Sequence, residues 1–190
     1  MLKSIKSLQS KFFITIILNL IVITQTNAND QIAQLNKLFS ELKINDVLLA
    51  QEVEKKIWKI WSTHPKDKDL TLMLNKGSDL VNNKQLIKAI NVFTQLINLD
   101  PTWAEAWNKR ATVLYMIGDF QKSQDDIDKV LELEERHFGA LAGQGLVNIE
   151  LRNYEKAIMS YKKAQEIYPS MESPNIMIKK IEVLIKEDLI

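Results

Sequence analysis

Cysteine is absent from all 190 residues, so no disulfide framework, thiolate nucleophile or cysteine metal site is available, whatever the compartment. Glycine and proline are scarce, five and four in the whole chain, which leaves too few turn residues for a β-hairpin architecture and points to an all-α class. The two histidines, His64 and His137, have no metal-ligating partner one helical turn away. No G-x-S-x-G elbow, P-loop or glycine-rich dinucleotide turn occurs. Gly143 and Gly145 follow no strand, so they do not make a phosphate cradle. Asp125, Asp126 and Asp128 form an acidic run, but on a helix these positions do not converge as the ligands of a Ca²⁺ loop do, and a solvated face is expected. The chain is therefore read as no enzyme, with no catalytic residue, no metal site and no cofactor.

What is present is a core-forming composition, 46% hydrophobic and 26% charged. Residues 1–28 carry Lys3, Lys6 and Lys11, then an apolar run over 12–23, then Thr26-Asn27-Ala28, the pattern of a secretory signal peptide. The run contains Asn19 and falls short of the roughly 20 apolar residues that span a bilayer as a helix. Cleavage predicts a periplasmic or secreted protein; retention of the segment would instead tether the chain to the membrane. Removing residues 1–28 takes three of the 25 basic residues and none of the 24 acidic ones, turning a net charge of +1 into −2. Binding to phosphate backbones needs a net basic face, so nucleic acid is not expected as a partner.

The stretch over residues 70–171 repeats itself every 34 residues without an insertion. Small residues recur at Gly77, Ala111 and Gly145 and again at Ala89, Ser123 and Ala157. Bulky apolar ones recur at Met73, Trp107 and Leu141, at Leu86, Phe120 and Tyr154, at Phe93, Ile127 and Tyr161, and at Leu99, Leu133 and Ile167. Within the middle copy, Trp107 and Ala111 share one helix face, Gly118-Asp119 breaks the helix, and Ser123, Ile127 and Val130 form the answering stripe of a second helix. A hairpin of this kind cannot bury its stripe alone, so neighbouring copies stack.

This pattern resembles the tetratricopeptide repeat. The departures are Lys84 and Arg152 where Gly118 marks the turn, Asn148 in place of an apolar residue, and Glu135 in place of a proline. Asn83 and Asn153, which tolerate left-handed backbone, stand beside the two unusual turns. The strings RHFGALAGQG and IWKIW are also similar to those of small exported bacterial tetratricopeptide proteins of uncharacterised function. The resemblance implies an α-solenoid whose first helices line a concave groove: Leu74, Ser78, Val81 and Asn82 in the first copy, Asn108, Thr112, Tyr115 and Met116 in the second, Ala142, Leu146 and Ile149 in the third. The implied function is a protein-binding adaptor or scaffold, with an apolar groove for a segment of another protein or peptide; a second copy of the chain is among the candidates. The alternative is a membrane-tethered envelope-assembly or chaperone-like subunit. Family members that clamp chaperone C-terminal carboxylates use lysine, asparagine and arginine at groove positions that here hold Leu74, Ser78, Lys109, Gly139 and Gly143, so that clamp is not implied.

The flanks do not follow the repeat. Residues 29–64 predict a helical hairpin, with Ile32, Leu35, Leu38, Phe39 and Leu42 on one stripe and Leu49, Ala50, Val53, Ile57, Ile60 and Trp61 on the other. It is expected to cap the first repeat, with Trp58 and Trp61 packing there; the alternative is that this tryptophan pair forms a partner-binding patch. Asp69 is the expected cap of the next helix, and Ser173-Pro174 the expected start of a C-terminal capping helix. The resulting division is 1–28 signal peptide, 29–64 hairpin, repeats at 70–103, 104–137 and 138–171, and 172–190 capping helix.

Overall fold

A computed structural model of the chain describes residues 30–44 and 46–188. The signal-peptide segment lies outside the described residues. Among those described there is no strand, and no helix is long and apolar enough to cross a membrane. Helix α1 covers residues 30–41, followed by α2 (Val47–Trp61), α3 (Lys68–Asn82), α4 (Leu86–Leu99), α5 (Ala104–Met116), α6 (Phe120–Leu133), α7 (Phe138–Glu150), α8 (Tyr154–Ile167) and α9 (Glu172–Asp188).

Helices α3 and α4, α5 and α6, and α7 and α8 pack as antiparallel hairpins, and α9 covers α8. Close approach within each pair depends on matched side-chain sizes. Gly77 faces the ring of Phe93 and Gly145 the ring of Tyr161; a Cβ built on Gly145 would stand 2.5 Å from that ring. In the middle hairpin the pair is Ala111 and Ile127, which share one buried cluster. A larger first-helix residue thus accompanies a smaller second-helix one.

Each hairpin turn places one residue in the left-handed region: Lys84 at φ 59°, Gly118 at 80° and Arg152 at 57°. The next residue's N–H closes the turn onto the helix it leaves, from Gln85 to Leu80 O (2.8 Å), Asp119 to Leu114 O (2.9 Å) and Asn153 to Asn148 O (2.7 Å). The left-handed residues are therefore Lys84 and Arg152 themselves. Asn83 and Asn153 keep negative φ, because the closure requires the left-handed conformation at the residue immediately before the closing N–H, which is Lys84 or Arg152.

Asp46 caps α2 as expected, accepting from Leu49 N. The cap of α3 is Asp67, which accepts from the N–H groups of Asp69 and Leu70, so the expected cap at Asp69 lies inside the first turn. Helix α9 begins at Glu172, ahead of the expected Ser173 cap; Pro174 then sits in the first turn, where a missing N–H breaks no helical bond. The inner face of α9 is as expected: Ile181 is buried, with Met177, Ile178 and Ile185 against it.

The N-terminal hairpin does not cap the first repeat. Its stripe of Ala50, Val53, Ile57 and Trp61, joined by Leu35, Leu38 and Phe39 of α1 and Leu42 just after it, forms one core with Phe138 at the start of α7 and Tyr168 at the end of α8. Helix α2 runs back along the array and touches each junction between repeats. Glu54 accepts from the Tyr168 hydroxyl at 3.1 Å. Trp58 packs edge-on against His137 and Phe138, Trp61 stacks on His137 with ring centroids 3.9 Å apart, and the Trp61 carbonyl accepts from the Trp103 indole at 2.9 Å. Beyond the helix end, His64 Nε2 pairs with Asp100 at 2.8 Å. Phe138, where the second and third hairpins abut, and Tyr168, at the end of the third, give this edge the aromatic surface on which the α2 stripe packs.

Candidate functional site

The first helices meet one another along the array, α3 with α5, α5 with α7 and α7 with α9, while the second helices stand further apart. This places α5 and α7 on the inside of the curve. Between them lies a cleft of about 80 Å³, walled by Asn108, Thr112 and Tyr115 on one side and Gly139, Gly143 and Leu146 on the other. Its floor is apolar, with Ala111, Ile127 and Val147.

The end nearest the helix N-termini is closed. Glu105 and His137 are both fully buried there, with His137 Nε2 at 3.2 Å from Glu105 Oε2 and His137 Nδ1 accepting from Ala140 N. That acceptance leaves the ring proton on Nε2, which donates to Glu105. Asn108 Nδ2 donates to the same carboxylate oxygen at 3.0 Å. Lys109 Nζ lies 3.1 Å from Glu105 Oε1 and 5.9 Å from the centre of the Trp58 ring. Burial pushes the Glu105 carboxyl up, but the hydrogen bond from His137 and the Lys109 ammonium outweigh it, holding the group below the usual carboxylate range. Trp58 seals this end because Gly139 has no side chain: a Cβ there would stand 2.5 Å from the indole.

The opposite end is open. Tyr115 donates to Glu150 Oε1 at 3.3 Å, tying α5 to the end of α7, and its ring packs on Phe120. Burial, then the Glu150 charge, raises the Tyr115 phenol above its ordinary value, so it remains a neutral donor. Met116 is 44% exposed beyond it.

Of the sequence-predicted groove residues, the structure brings Asn108, Thr112, Tyr115 and Leu146 together in the cleft. Asn108 is engaged with Glu105 and belongs to its closed end. Ala142 and Ile149 are half-buried against the cluster that α9 completes, on the other flank of α7. In the first repeat, Leu74 is buried in the core. Trp58 and Trp61 are interior packing elements, Trp61 being 7% exposed. Glu105, His137 and Gly139 are the residues that sequence reasoning missed as a unit. Glu105 and His137 stand 32 residues apart, and no short-range pattern links them; the glycine in place of a clamp cation was the one visible signal. The acidic run is also not a uniform solvated face, since Asp126 is buried and makes a bidentate pair with Arg110 at 2.7 Å for both bonds. Among the described residues no group of acidic or histidine side chains could hold a metal ion.

Comparison with known proteins accords with this geometry. Residues 139–171 match the family model of the tetratricopeptide repeat. Over those residues the chain is similar to the tetratricopeptide repeat family. A TPR repeat-containing protein of Rhizobium etli is 29% identical over 167 residues, covering 85% of this chain and 81% of the relative. That share exceeds the array and α9, so the likeness extends into the N-terminal hairpin. Hsp70-Hsp90 organizing protein 1 of Glycine max is 24% identical over 95 residues, half of this chain but 17% of the relative's length. Among solved structures, the first TPR of Spaghetti (RPAP3) bound to an HSP90 peptide superposes with a TM-score of 0.61 at 18% identity, covering 63% of this chain and 94% of that one. The TPR2B domain of yeast Sti1 in complex with an Hsp70 peptide gives 0.59 at 16% identity, covering 62% and 99%. These structures share the fold of the array.

Proposed function

We propose that this tetratricopeptide repeat protein is an exported adaptor that holds an apolar segment of a partner protein against the α5–α7 cleft. A protein partner in general is supported by the family, whose solved members include complexes with peptides. The observation that carries the apolar preference is the filled end of the cleft. Trp58 occupies the space over Gly139, and Lys109 is drawn onto Glu105, so among the described residues lining the cleft no free cation faces an acidic C-terminus. At about 80 Å³ the cleft is far below the roughly 300–1,000 Å³ of small-molecule pockets and suits one apolar side chain as an anchor. Tyr115 supplies a rigid aromatic wall and Met116 an adaptable apolar neighbour.

Export and periplasmic location rest on the lysine-flanked apolar run over 12–23 and the small residues that follow it. The same run supports a second reading, a subunit tethered to the envelope by an uncleaved segment. The intact mass of the purified protein separates them, since cleavage removes 28 residues. A photocrosslinking residue at Thr112, introduced in intact cells, is expected to give discrete protein adducts that are absent when it is placed at exposed Lys162. Equal labelling from both positions contradicts the assignment of the cleft.

A further inference from the structure

The stacking of repeats creates two equivalent pockets on the far side of the array from the cleft. In the first, between the first and second repeats, Ile90 and Leu114 supply apolar wall, while Arg110 pairs with Asp126 and Thr94. One repeat later, 34 positions along, the same places hold Gln124, Asn148, Gln144, Ser160 and Asp128. The apolar pair has become an amide pair and the ion pair has become an amide and a hydroxyl. The departure of Asn148 from the repeat pattern is thus one half of a paired exchange.

These side chains form one continuous network. Ser160 donates to Gln144 Oε1 (2.8 Å), Gln144 and Gln124 both donate to Asp128 Oδ1 (3.2 and 2.7 Å), Asn148 donates to Gln124 Oε1 (3.0 Å), and Asn153 donates to Asn148 Oδ1 (3.3 Å). Asn148 and Ser160 are 5% and 4% exposed, so their orientations are fixed by packing as well as by bonding. The network lines an open pocket of about 350 Å³, within the range of small-ligand sites. Each amide has two N–H groups and each carbonyl two lone pairs. The bonds within the network leave Gln124 and Gln144 with a spare donor each and Asp128 with a second oxygen. Leu151 and Met159 add an apolar side to the same pocket.

We infer that this pocket is a binding site for a neutral, hydroxyl-rich small molecule of one or two sugar rings. Preoriented amides with a single carboxylate match adjacent hydroxyl groups, which both donate and accept, and the apolar side suits the C–H face of a sugar ring. Lys156 and Lys163 also line the pocket, as exposed side chains at its rim; with the Arg110–Asp126 type of ion pair lost at this position, the buried part of the pocket, Asn148 and Ser160, carries no charge. A purely structural role would be met as well by the Ile and Leu of the equivalent pocket, since replacing both partners of a buried hydrogen bond by apolar groups is close to neutral for stability.

The test is side-chain amide NMR of the intact protein titrated with glucose, N-acetylglucosamine and maltose. At least one of these sugars is expected to shift the Gln124, Gln144 and Asn148 side-chain resonances saturably by tens of millimolar. The Gln124→Ile/Asn148→Leu variant, which installs the residues of the equivalent pocket, is expected to melt at or above the parent temperature and to lose those responses at Gln144. Should that variant fold poorly, Met159→Trp, at a lining position 59% exposed, narrows the pocket and is expected to weaken binding at least tenfold. No shift with any of the sugars, or unchanged affinity in a folded variant, overturns the proposal. Loss of sugar binding leaves the cleft intact, so Tyr115 variants separate the two sites.

Discussion

At the residue scale, the repeat is maintained by pairs more than by single positions. Gly145 is glycine because Tyr161 lies against it, and the middle hairpin solves the same problem with Ala111 and Ile127. Gly145→Ala alone is expected to cost about 1–3 kcal/mol by overpacking, a fall of several degrees in melting temperature for a domain of this size. Adding Tyr161→Ile should recover much of that loss in a thermal melt, all the more because the buried Tyr161 hydroxyl has no hydrogen-bond partner. Failure of the second substitution to help would break the inferred pairing. The buried Glu105 carboxylate adds a pH dependence. Its pKa is held below the unfolded value, so the stability it contributes is fully present above about pH 4 and is lost as pH falls through the lower folded value. Glu105→Gln is therefore expected to lower the melting temperature at pH 7 and to flatten its decline below about pH 4; parallel curves for both proteins would contradict this.

At the element scale, the helices of the array were legible because a 34-residue step multiplies every weak signal by three. The second helix of the middle repeat, expected after the Gly118-Asp119 break with Ser123, Ile127 and Val130 on its stripe, is observed at Phe120–Leu133 with those three residues buried. Lys84 and Arg152 in left-handed backbone were less legible, since their conformation is imposed by the closure of the turn and not by their own preference. The seat of α2 was not legible at all. Its apolar stripe showed that it packs against something, but amphipathic periodicity carries no information about which surface receives it. The surface is a composite edge built by Phe138, Tyr168 and Trp103, residues from three separate junctions. Trp61→Ala should accordingly behave as a core truncation, costing about 3–5 kcal/mol, and native-state hydrogen exchange should show faster opening in α7 as well as in α2. Effects confined to α2 and α3 would place the hairpin on the first repeat after all.

At the scale of the whole molecule, α2 changes the character of the solenoid. Contacts in a repeat array are between neighbours, and this strap adds ties from Glu54 to Tyr168 and from His64 to Asp100 that span it. It also sets which part of the inner surface is available, closing the end at Gly139 and leaving Tyr115, Leu146 and Met116 at the open one. The groove was legible in the sequence only as a list of helix positions. Asn108 is held at its closed end by Glu105, and Ala142 and Ile149 face the α9 side of α7, which are tertiary events that a periodic pattern does not encode. The most direct measurement is capture from an envelope extract with the parent chain and with Tyr115→Ala/Leu146→Ser, alongside their melting curves. A cleft that binds a partner's apolar anchor predicts loss of capture of the parent's specific partner, with melting held within a few degrees, since such contacts act through the partner. Undiminished capture, or a loss that only tracks unfolding of the variant, would contradict it.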